Sequence, residues 1–469
     1  MPYARPRGRI LLASALVAVA SQLAGVPSPL HGAAAATTPR RLNILFVVTD
    51  DQTIQSLRYA TMPYFRSQLA DRSQRWTTFS NAFDNDPLCC PARATILSGQ
   101  YAHHTGVWCV DNRRNKCGAA FDDRHSVATW LHHAGYTTGL FGKYFNFYPF
   151  GRGLFTAPGW DRWDSIYKAT GEQYYNYRMV ENGKLVSYGS APQDHSTVVI
   201  GNEATNFLSR AQQPFFAYVA TDSPHEPRTA EVQNKGAFKN QRIIRTPAFN
   251  EANVSDKPAW VRRLPRLDPA VPDTLQRKEL ASLLDVDDML RQLFGALRAR
   301  GVWKNTAVIY VSDNGYSYGD HRWDNKRCPY EECMRVPLFI RDPRHGVTHT
   351  SRALVSNVDL ASTVAEFAHV TPDIHQDGRS LRPLLTGTAR AWPQNKGLLF
   401  EYRSDGVTPS WVGVRTRRFL FDELATGEKE LYALRRDPYE MRNVAGRVGY
   451  RAAVPALECK VRRLLGKRC

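Results

Sequence analysis

Five short, nearly uninterrupted apolar runs are the feature of this 469-residue chain that most restricts its fold. Runs of this length without polar alternation are typical of strands that are buried on both faces of a sheet. Segments with helical periodicity follow at residues 126–134 and 275–300 and after Asp359. This alternation predicts an α/β fold with a large, doubly wound, mostly parallel sheet flanked by helices. The five runs cover residues 42–48, 137–141, 215–220, 307–311 and 336–340.

Other regions of the chain depart from this alternation. Residues 145–195 and 228–270 are rich in Tyr, Trp, Gly, Asn and Pro, which predicts long loops over the sheet edge that shape a substrate pocket. Residues 396–425 contain short alternating runs, which predict a small antiparallel sheet, and a basic helix is expected at about residues 450–466. We therefore divide the chain into a main domain of residues 37–385 and a C-terminal subdomain of residues 386–469.

The N-terminus resembles a secretory signal peptide. Arg5, Arg7 and Arg9 precede an apolar run at residues 10–26, and Ala33–Ala36 offers a small-residue cleavage site. We predict that residues 1–36 are removed, with an uncleaved anchor as the alternative. Because this short run is the one apolar stretch of such length, a multi-span membrane protein is excluded. We expect a secreted protein without stable membrane association.

The cysteines fit an oxidising compartment. Eight are present, and six of them form pairs that are close in sequence, so three local disulfides are plausible while the connectivity stays open. Cys89 and Cys90 are not part of these three pairs. The close pairs are Cys109 with Cys117, Cys328 with Cys333, and Cys459 with Cys469.

The formal net charge of +18 has two readings. A positive field attracts an acidic substrate or surface, but an arginine-biased genome produces the same composition. The sequence contains no block of five or more like charges, which argues against a nucleic-acid partner.

Polar residues with metal-ligand chemistry follow the apolar runs. Asp50 and Asp51 follow the first run, Asp313 and Asn314 follow the fourth, and Lys143 and His225 follow the second and third. Parallel strands end at one edge of a sheet, where open α/β folds bind ligands. The oxygen ligands of Asp50, Asp51, Asp313 and Asn314 suit Ca²⁺ or Mg²⁺ better than zinc. The alternative is that they are capping and turn residues.

The segment from Cys89 to Gly99 predicts a helix that begins close to a cysteine. Pro91 suits the first turn of a helix, and Ser98-Gly99 is a plausible end. Cys89 would then lie just before a helix N-terminus, where backbone N–H groups favour an anion and a thiolate is stabilised. The residues alone indicate a nucleophilic cysteine at an anion site beside a divalent cation. The alternative is that Cys89 and Cys90 are small buried residues.

The run Cys89-x-Pro91-x-Arg93, followed by Leu97-Ser98-Gly99, resembles the signature of the sulfatase family. The resemblance extends in order over nearly the whole mature chain, which makes it far more specific than the cysteine motif alone. It implies an alkaline-phosphatase-like sandwich with a small C-terminal antiparallel sheet and a helix. The further matching elements are Asp50-Asp51, Gly142-Lys143, Pro224-His225, Asp313-Asn314-Gly315, Lys326, Tyr330–Glu332, Arg335–Pro337, Asp377–Leu381, Glu430–Tyr432 and Asp437-Pro438.

The resemblance also implies a mechanism. A separate maturation enzyme would oxidise Cys89 to formylglycine (3-oxoalanine), whose hydrated aldehyde would attack the sulfate sulfur and later expel sulfate with its second hydroxyl. His225 would protonate the leaving alcohol, and Cys90 would be an unpaired neighbour beside three structural disulfides. Calcium would be bound by Asp50, Asp51, Asp313, Asn314 and the modified Cys89, and the groups that hold the aldehyde and sulfate oxygens would be Arg93, Lys143 and Lys326.

One position departs from the family pattern. Many sulfatases have a histidine two residues after the Lys143 position, where this chain has Phe145. The base that deprotonates the hydrated aldehyde is therefore open. Candidates for this role are Asn146, His103, His104 and His321.

The expected substrate is 6-O-sulfated N-acetylglucosamine or a glycosaminoglycan end that bears it. The string Gly142–Asn146 and the pair Pro87-Leu88 resemble the branch that includes N-acetylglucosamine-6-sulfatases. An arylsulfatase and a phosphonate or phosphate monoester hydrolase of the same superfamily are alternatives. A catalytically silent binder of acidic polysaccharide is a distant one, because the chain keeps all the reactive residues named above.

Overall fold

The computed structural model describes residues 41–110, 118–170, 172–387, 392–393 and 396–469. The predicted signal peptide and the predicted partner of Cys109, Cys117, lie outside the described residues. The strands, in chain order, are β1 (Asn43–Thr49), β2 (Trp76–Phe79), β3 (Ala82–Phe83), β4 (Thr137–Gly142), β5 (Arg162–Ile166), β6 (Arg178–Glu181), β7 (Lys184–Ser187), β8 (Phe215–Ala220), β9 (Thr306–Ser312), β10 (Ser317–Tyr318), β11 (Asp324–Asn325), β12 (Leu338–Arg341), β13 (His349–Ser351), β14 (Val355–Ser356), β15 (Leu398–Tyr402), β16 (Trp411–Arg415), β17 (Leu420–Leu424) and β18 (Lys429–Tyr432).

The helices alternate with these strands through the first part of the chain. In chain order they are α1 (Pro63–Ala70), α2 (Cys89–Ser98), α3 (Ala102–Thr105), α4 (Val127–His133), α5 (Ser196–Arg210), α6 (Ala259–Arg262), α7 (Ala270–Ala299), α8 (Glu331–Met334), α9 (Asp359–Ala368), α10 (Arg382–Leu385) and α11 (Ala453–Leu464). Within the described residues, no helix is both long enough and apolar enough to cross a membrane.

A sheet of ten described strands forms the centre of the fold, in the order β13-β2-β12-β9-β1-β8-β4-β5-β6-β7. Strand β1 is parallel to β8 on one side and to β9 on the other, and β4 is parallel to β8 and β5. The predicted α/β class with a mostly parallel sheet is confirmed. Strand β12 is antiparallel to β9, because the chain turns back at the edge where β9 ends and pairs Leu338 with Val311.

Helices cover both faces of the sheet because successive side chains of a strand point to opposite faces. On β1, Ile44, Phe46 and Val48 pack into one buried apolar cluster with side chains of α2, α4 and α9. Leu45 and Val47 pack into a second cluster with side chains of α1, α5 and α7. The unbroken apolar run of β1 is therefore the sequence of a strand with a core on each side.

The prediction of a loop over residues 145–195 is wrong in part. Strands β5, β6 and β7 lie in this segment and extend the sheet to its edge. The apolar side chains of β5 and β6, such as Trp163 and Met179, are buried, whereas Leu185 of β7 is exposed. Polar residues interrupt each run, so the sequence lacks the pattern of a central strand. The prediction for residues 228–270 holds, since the helices described there are the short α6 and the first residue of α7, and no strand is described there.

The C-terminal part contains the predicted small sheet and helix. Strands β15, β16, β17 and β18 pair in sequence order and antiparallel, so the sheet includes a strand, β18, beyond residues 396–425 that predicted it. The disulfides Cys328–Cys333 and Cys459–Cys469 are present as predicted. The division of the chain at residue 385 stays a prediction.

We expect Gly142 at the end of β4 to be irreplaceable. Its φ is +101°, and a Cβ atom there would lie 2.0 Å from the carbonyl oxygen of Ala220. Gly142→Ala should lower the free energy of unfolding by at least about 3 kcal/mol, since backbone strain and a clash add. Gly135→Ala is the control, because Gly135 has φ +80° with nothing within 4 Å of the added atom. Its loss should be about 1 kcal/mol. Equal losses in denaturant unfolding would contradict the role of this contact.

Candidate active site

The carboxyl edge of the sheet brings the predicted site residues together. Asp50 and Asp51 follow β1, Lys143 follows β4, and the pair Asp313-Asn314 follows β9. All of these side chains are buried. The remaining predicted members reach the same place from other elements: Cys89 and Arg93 from α2, His225 from the loop after β8, and Lys326 from the residue after β11.

Arg93 is the centre of a buried ion network. Its Nε lies 2.9 Å from Asp313 Oδ2, its Nη2 lies 3.2 Å from Asp50 Oδ2, and its Nη1 donates to the Lys143 carbonyl at 2.8 Å. The Lys143 ammonium also pairs with Asp50. Burial alone would raise the pKa of Asp50, but Lys143, His225 and Arg93 hold it well below its usual range. Asp50 is therefore a charged carboxylate in a dry environment.

Lys326 connects the cysteine to the second aspartate. Its Nζ lies 2.7 Å from Asp51 Oδ1 and 2.9 Å from Cys89 Sγ. The Cys89 Sγ is also 3.5 Å from Asp50 Oδ1. One cation and one carboxylate thus contact the Cys89 sulfur atom directly, and the residue is buried.

His225 faces this group from the loop after β8. Its Nε2 lies 3.5 Å from Asp51 Oδ2, and its Nδ1 lies 2.7 Å from the Glu226 carbonyl, to which it donates. Burial lowers the pKa of His225 to about 4, although the negative charge of Asp51 opposes this shift. An anion bound beside the imidazole would raise its pKa. The Tyr174 hydroxyl donates to the His225 carbonyl at 2.6 Å and so anchors the loop. Sequence reasoning missed Tyr174, which has no motif signal.

The environment of Cys89 does not favour a thiolate. Helix α2 begins at Cys89 and ends before Gly99, whose φ is +72°. Burial, followed by the charge of Asp50, raises the pKa of the Cys89 thiol far above its ordinary value, although Lys143 and Lys326 oppose this. Desolvation thus opposes the stabilisation of a thiolate that the helix N-terminus would provide, and the expectation of a reactive thiolate stays a prediction. Burial also raises the pKa of Cys90, to about 11.

The acidic residues fit a hard cation. Asn314 Oδ1 is buried without a hydrogen-bond partner, whereas its Nδ2 donates to Asp51 Oδ1 and to the Gly315 carbonyl. Burial raises the pKa of Asp313 to about 6. The negative charge of Asp50 also raises this pKa, while Arg93 lowers it, so carboxylates lie close together here. Carboxylate and amide oxygens are the ligands that calcium prefers. Ligand atoms of Asp50, Asp51, Cys89 and His225 lie within 4.8 Å of one another.

A cleft of about 230 Å³ opens above these residues. Arg327, which sequence reasoning missed, lines it and is held by Asp405 through an Nε–Oδ2 contact of 2.8 Å. Nothing in the spacing around Lys326 indicates this role. The described lining residues are Asp51, Cys89, Val110, Asn146, Thr170, His225, Glu226, Tyr316, Asn325, Lys326 and Arg327.

The structure shows which of the residues proposed to replace the histidine absent at position 145 lies at the cleft. Phe145 is buried in the apolar cluster against Phe121 and Tyr144, so it takes no part in the cleft. Asn146 lines the cleft and lies within 3.6 Å of Cys90 Sγ. None of the candidate histidines lines it, since each is engaged elsewhere: His103 with Glu401, His104 with Asp377, and His321 with Glu251.

Comparison with known proteins identifies the family. A family model described as Sulfatase matches residues 42–370. The chain belongs to the sulfatase family. A second model, described as N-sulphoglucosamine sulphohydrolase, C-terminal, matches residues 319–467. The predicted family is thus confirmed over almost all of the described chain.

Curated sulfatases and a solved structure show the same relationship. The N-acetylglucosamine-6-sulfatase of Homo sapiens is 34% identical over 80% of this chain and 69% of its own length. The extracellular sulfatase SULF-1 homolog of Drosophila melanogaster is 33% identical over 76% of this chain, which spans only about a third (33%) of that relative. A solved structure described as a complex with its substrate D-glucosamine-2-N,6-O-disulfate is 24% identical, covers 91% of this chain and 98% of its own, and has a TM-score of 0.76. The sulfatase fold is therefore shared.

We expect Arg93 to be required for stability as well as for the site. Arg93→Met leaves Asp50 and Asp313 buried without their guanidinium partner, which should cost about 3–5 kcal/mol. Arg124→Met is the control, because Arg124 is mostly exposed in its pair with Asp122. Its effect should stay within about 0.5 kcal/mol. A comparison of thermal unfolding midpoints measures both, and similar midpoints for the two variants would contradict the role of the network.

Proposed function

We propose that this sulfatase-family protein hydrolyses sulfate monoesters, and that its substrates carry 6-O-sulfated N-acetylglucosamine. The observation that carries the proposal is the arrangement around Cys89, where Arg93, Lys143 and Lys326 surround one reactive position at the base of a cleft. Such a position suits a tetrahedral anion, because preorganised cations stabilise charge that develops during sulfuryl transfer.

We further propose a role for each residue. Cys89, converted to formylglycine, supplies the hydroxyl nucleophile. Lys143 and Lys326 hold the sulfate oxygens and Arg93 keeps the acidic ligands in place. His225, whose Nε2 faces the site, protonates the leaving oxygen of the alcohol. The raised pKa of the Cys89 thiol supports the need for modification, since the unmodified thiol is a poor nucleophile at neutral pH.

Calcium is the metal that the donor set supports. Asp50, Asp51, Asp313 and Asn314 would hold it together with the modified Cys89, and the unpartnered Asn314 Oδ1 supports an oxygen ligand there. When bound, it would supply positive charge that lowers the pKa of a nearby hydroxyl and neutralises sulfate.

The choice of an amino sugar rests on the cleft and on the relatives. Asn146, Thr170 and Asn325 place amide and hydroxyl groups around the opening, which suits hydrogen bonds to a sugar. The human relative is named an N-acetylglucosamine-6-sulfatase, and the solved relative is described with a 6-O-sulfated glucosamine. We also propose that the protein is secreted, because the Drosophila relative is named extracellular and disulfides suit that compartment.

The test compares sulfate release from N-acetylglucosamine 6-sulfate and from a nitrophenyl sulfate. We expect a higher kcat/KM for the sugar, and a loss of at least about 10³-fold in Cys89→Ala and Cys89→Ser, since neither can form a hydrated aldehyde. Cys90→Ser is the matched control: it makes the same change in the neighbouring buried cysteine and should keep turnover within about tenfold of the parent.

Three other outcomes of these assays would contradict parts of the proposal. Activity of Cys89→Ser near that of the parent would refute the formylglycine mechanism. A lasting preference for the aryl ester would refute the sugar assignment and leave an arylsulfatase. Faster cleavage of a nitrophenyl phosphonate ester would assign the protein to the phosphonate hydrolases of the superfamily.

Removal of calcium should abolish turnover and lower stability. Without a divalent cation, Asp50, Asp51 and Asp313 keep their mutual repulsion, so a chelator should lower the unfolding midpoint, and added calcium should restore it. Asp313→Asn should weaken this response, whereas Asp122→Asn, at an exposed position, should not. Active protein that contains no divalent cation by elemental analysis would contradict the proposal.

A further inference from the structure

A second cleft, which the proposed chemistry does not use, lies beside the active site. It has a volume of about 540 Å³, and five of its described lining residues are basic while none is acidic. We propose that this basic cleft binds a further anionic sugar of a sulfated polysaccharide chain whose end occupies the active site. The inference rests on the proposed function and assigns a place on the protein to the part of the substrate beyond its terminal sugar. The five residues are Arg228, Lys235, Lys239, Arg277 and Lys278.

Local structure places these cations on two facing elements. Thr274, Arg277, Lys278 and Ala281 lie at spacings of three and four residues on α7, so they share one helix face. Lys235 and Lys239 come from the irregular segment after β8. The cleft between them therefore has a row of cations on each side.

The ammonium groups of the lysines in the basic cleft are free to bind an anion. Lys235, Lys239 and Lys278 are exposed, and no ion pair joins them to an acidic group of the described chain. Arg277 differs, since its guanidinium lies 3.7 Å from Asp273. An anionic ligand would thus meet three unneutralised ammonium groups, which raises its local concentration and its affinity.

The floor of the basic cleft is apolar. Ala230 and Ala281 are buried there, while Val232 remains 65% exposed. Tyr175 adds an aromatic ring. Apolar side chains beneath a cationic rim suit a sugar ring with sulfate or carboxylate groups at its edge, because the ring carbons pack on the floor and the anions reach the rim.

Arg228 joins the two clefts. It lines the basic cleft, and its guanidinium stacks 4.7 Å from the ring of Tyr316, which lines the active site. The Arg228 side chain is 1% exposed. Its Nη1 and Nη2 have no hydrogen-bond partner, although Nη1 lies 3.6 Å from Glu226 Oε2. The chain passes from His225 and Glu226 in one cleft directly to Pro227 and Arg228 in the other. The two clefts therefore adjoin, so that one polysaccharide chain can reach both.

The experiment compares a monosaccharide with a chain. The substrates are N-acetylglucosamine 6-sulfate and a sulfated hexasaccharide that ends in the same sugar. The test variant is the triple substitution Lys235→Ala, Lys239→Ala and Lys278→Ala. Its matched control is Lys184→Ala, Lys304→Ala and Lys467→Ala, which removes the same charge at exposed positions outside the cleft.

We expect the parent to prefer the hexasaccharide in kcat/KM, and the test variant to lose about tenfold more activity on the hexasaccharide than on the monosaccharide. The preference should weaken as salt is added, and the test variant should show a smaller salt dependence. The control variant should keep the preference of the parent. No preference for the chain in the parent, or equal losses on both substrates in the test variant, would overturn the inference while sulfatase activity stands.

Binding to the Cys89→Ala protein provides a readout that needs no turnover. The dissociation constant of the hexasaccharide should rise about tenfold when the three cleft lysines are replaced in that background. An unchanged dissociation constant would overturn the inference, and this result does not depend on sulfatase activity. Equal competition by a DNA oligonucleotide of the same charge would also overturn it, because the cleft would then recognise charge without the sugar.

Discussion

The buried ion network of Arg93 with Asp50 and Asp313 is the interaction on which the rest of the site depends. It joins α2 to the ends of β1 and β9, so the helix that carries Cys89 is held against the two strands that carry the acidic residues. Buried charges are tolerated when they are paired and are costly when one partner is lost. The same contacts that hold the site together therefore make its geometry hard to change.

Desolvation connects this network to the chemistry. Excluding water strengthens the attraction of Lys143 and Lys326 for an anion, and it also raises the pKa of the Cys89 thiol. The two lysines would favour the proposed binding of sulfate, whereas burial and the charge of Asp50 disfavour a thiolate at Cys89. The raised thiol pKa supports the proposed modification of Cys89.

The loop after β8 gives the protein two connected surfaces. His225 faces the active site, where Tyr174 anchors its carbonyl, and three residues later Arg228 lines the basic cleft. Since one short segment contributes to both, a polysaccharide chain bound as proposed would contact the reactive position and the cationic rim through that same segment.

The sequence by itself determined the α/β class, the central strands, the family and the residues at the strand ends. These depend on short apolar runs and on short motifs that follow one another in order along the chain, and such local patterns can be read from the sequence. Only the tertiary structure decided the antiparallel direction of β12, the edge strands β5 to β7, the anchoring of His225 by Tyr174, and the joining of α7 to residues 227–239 in the basic cleft. These features arise from contacts between residues far apart in the sequence, and the pattern around each residue does not name its distant partner.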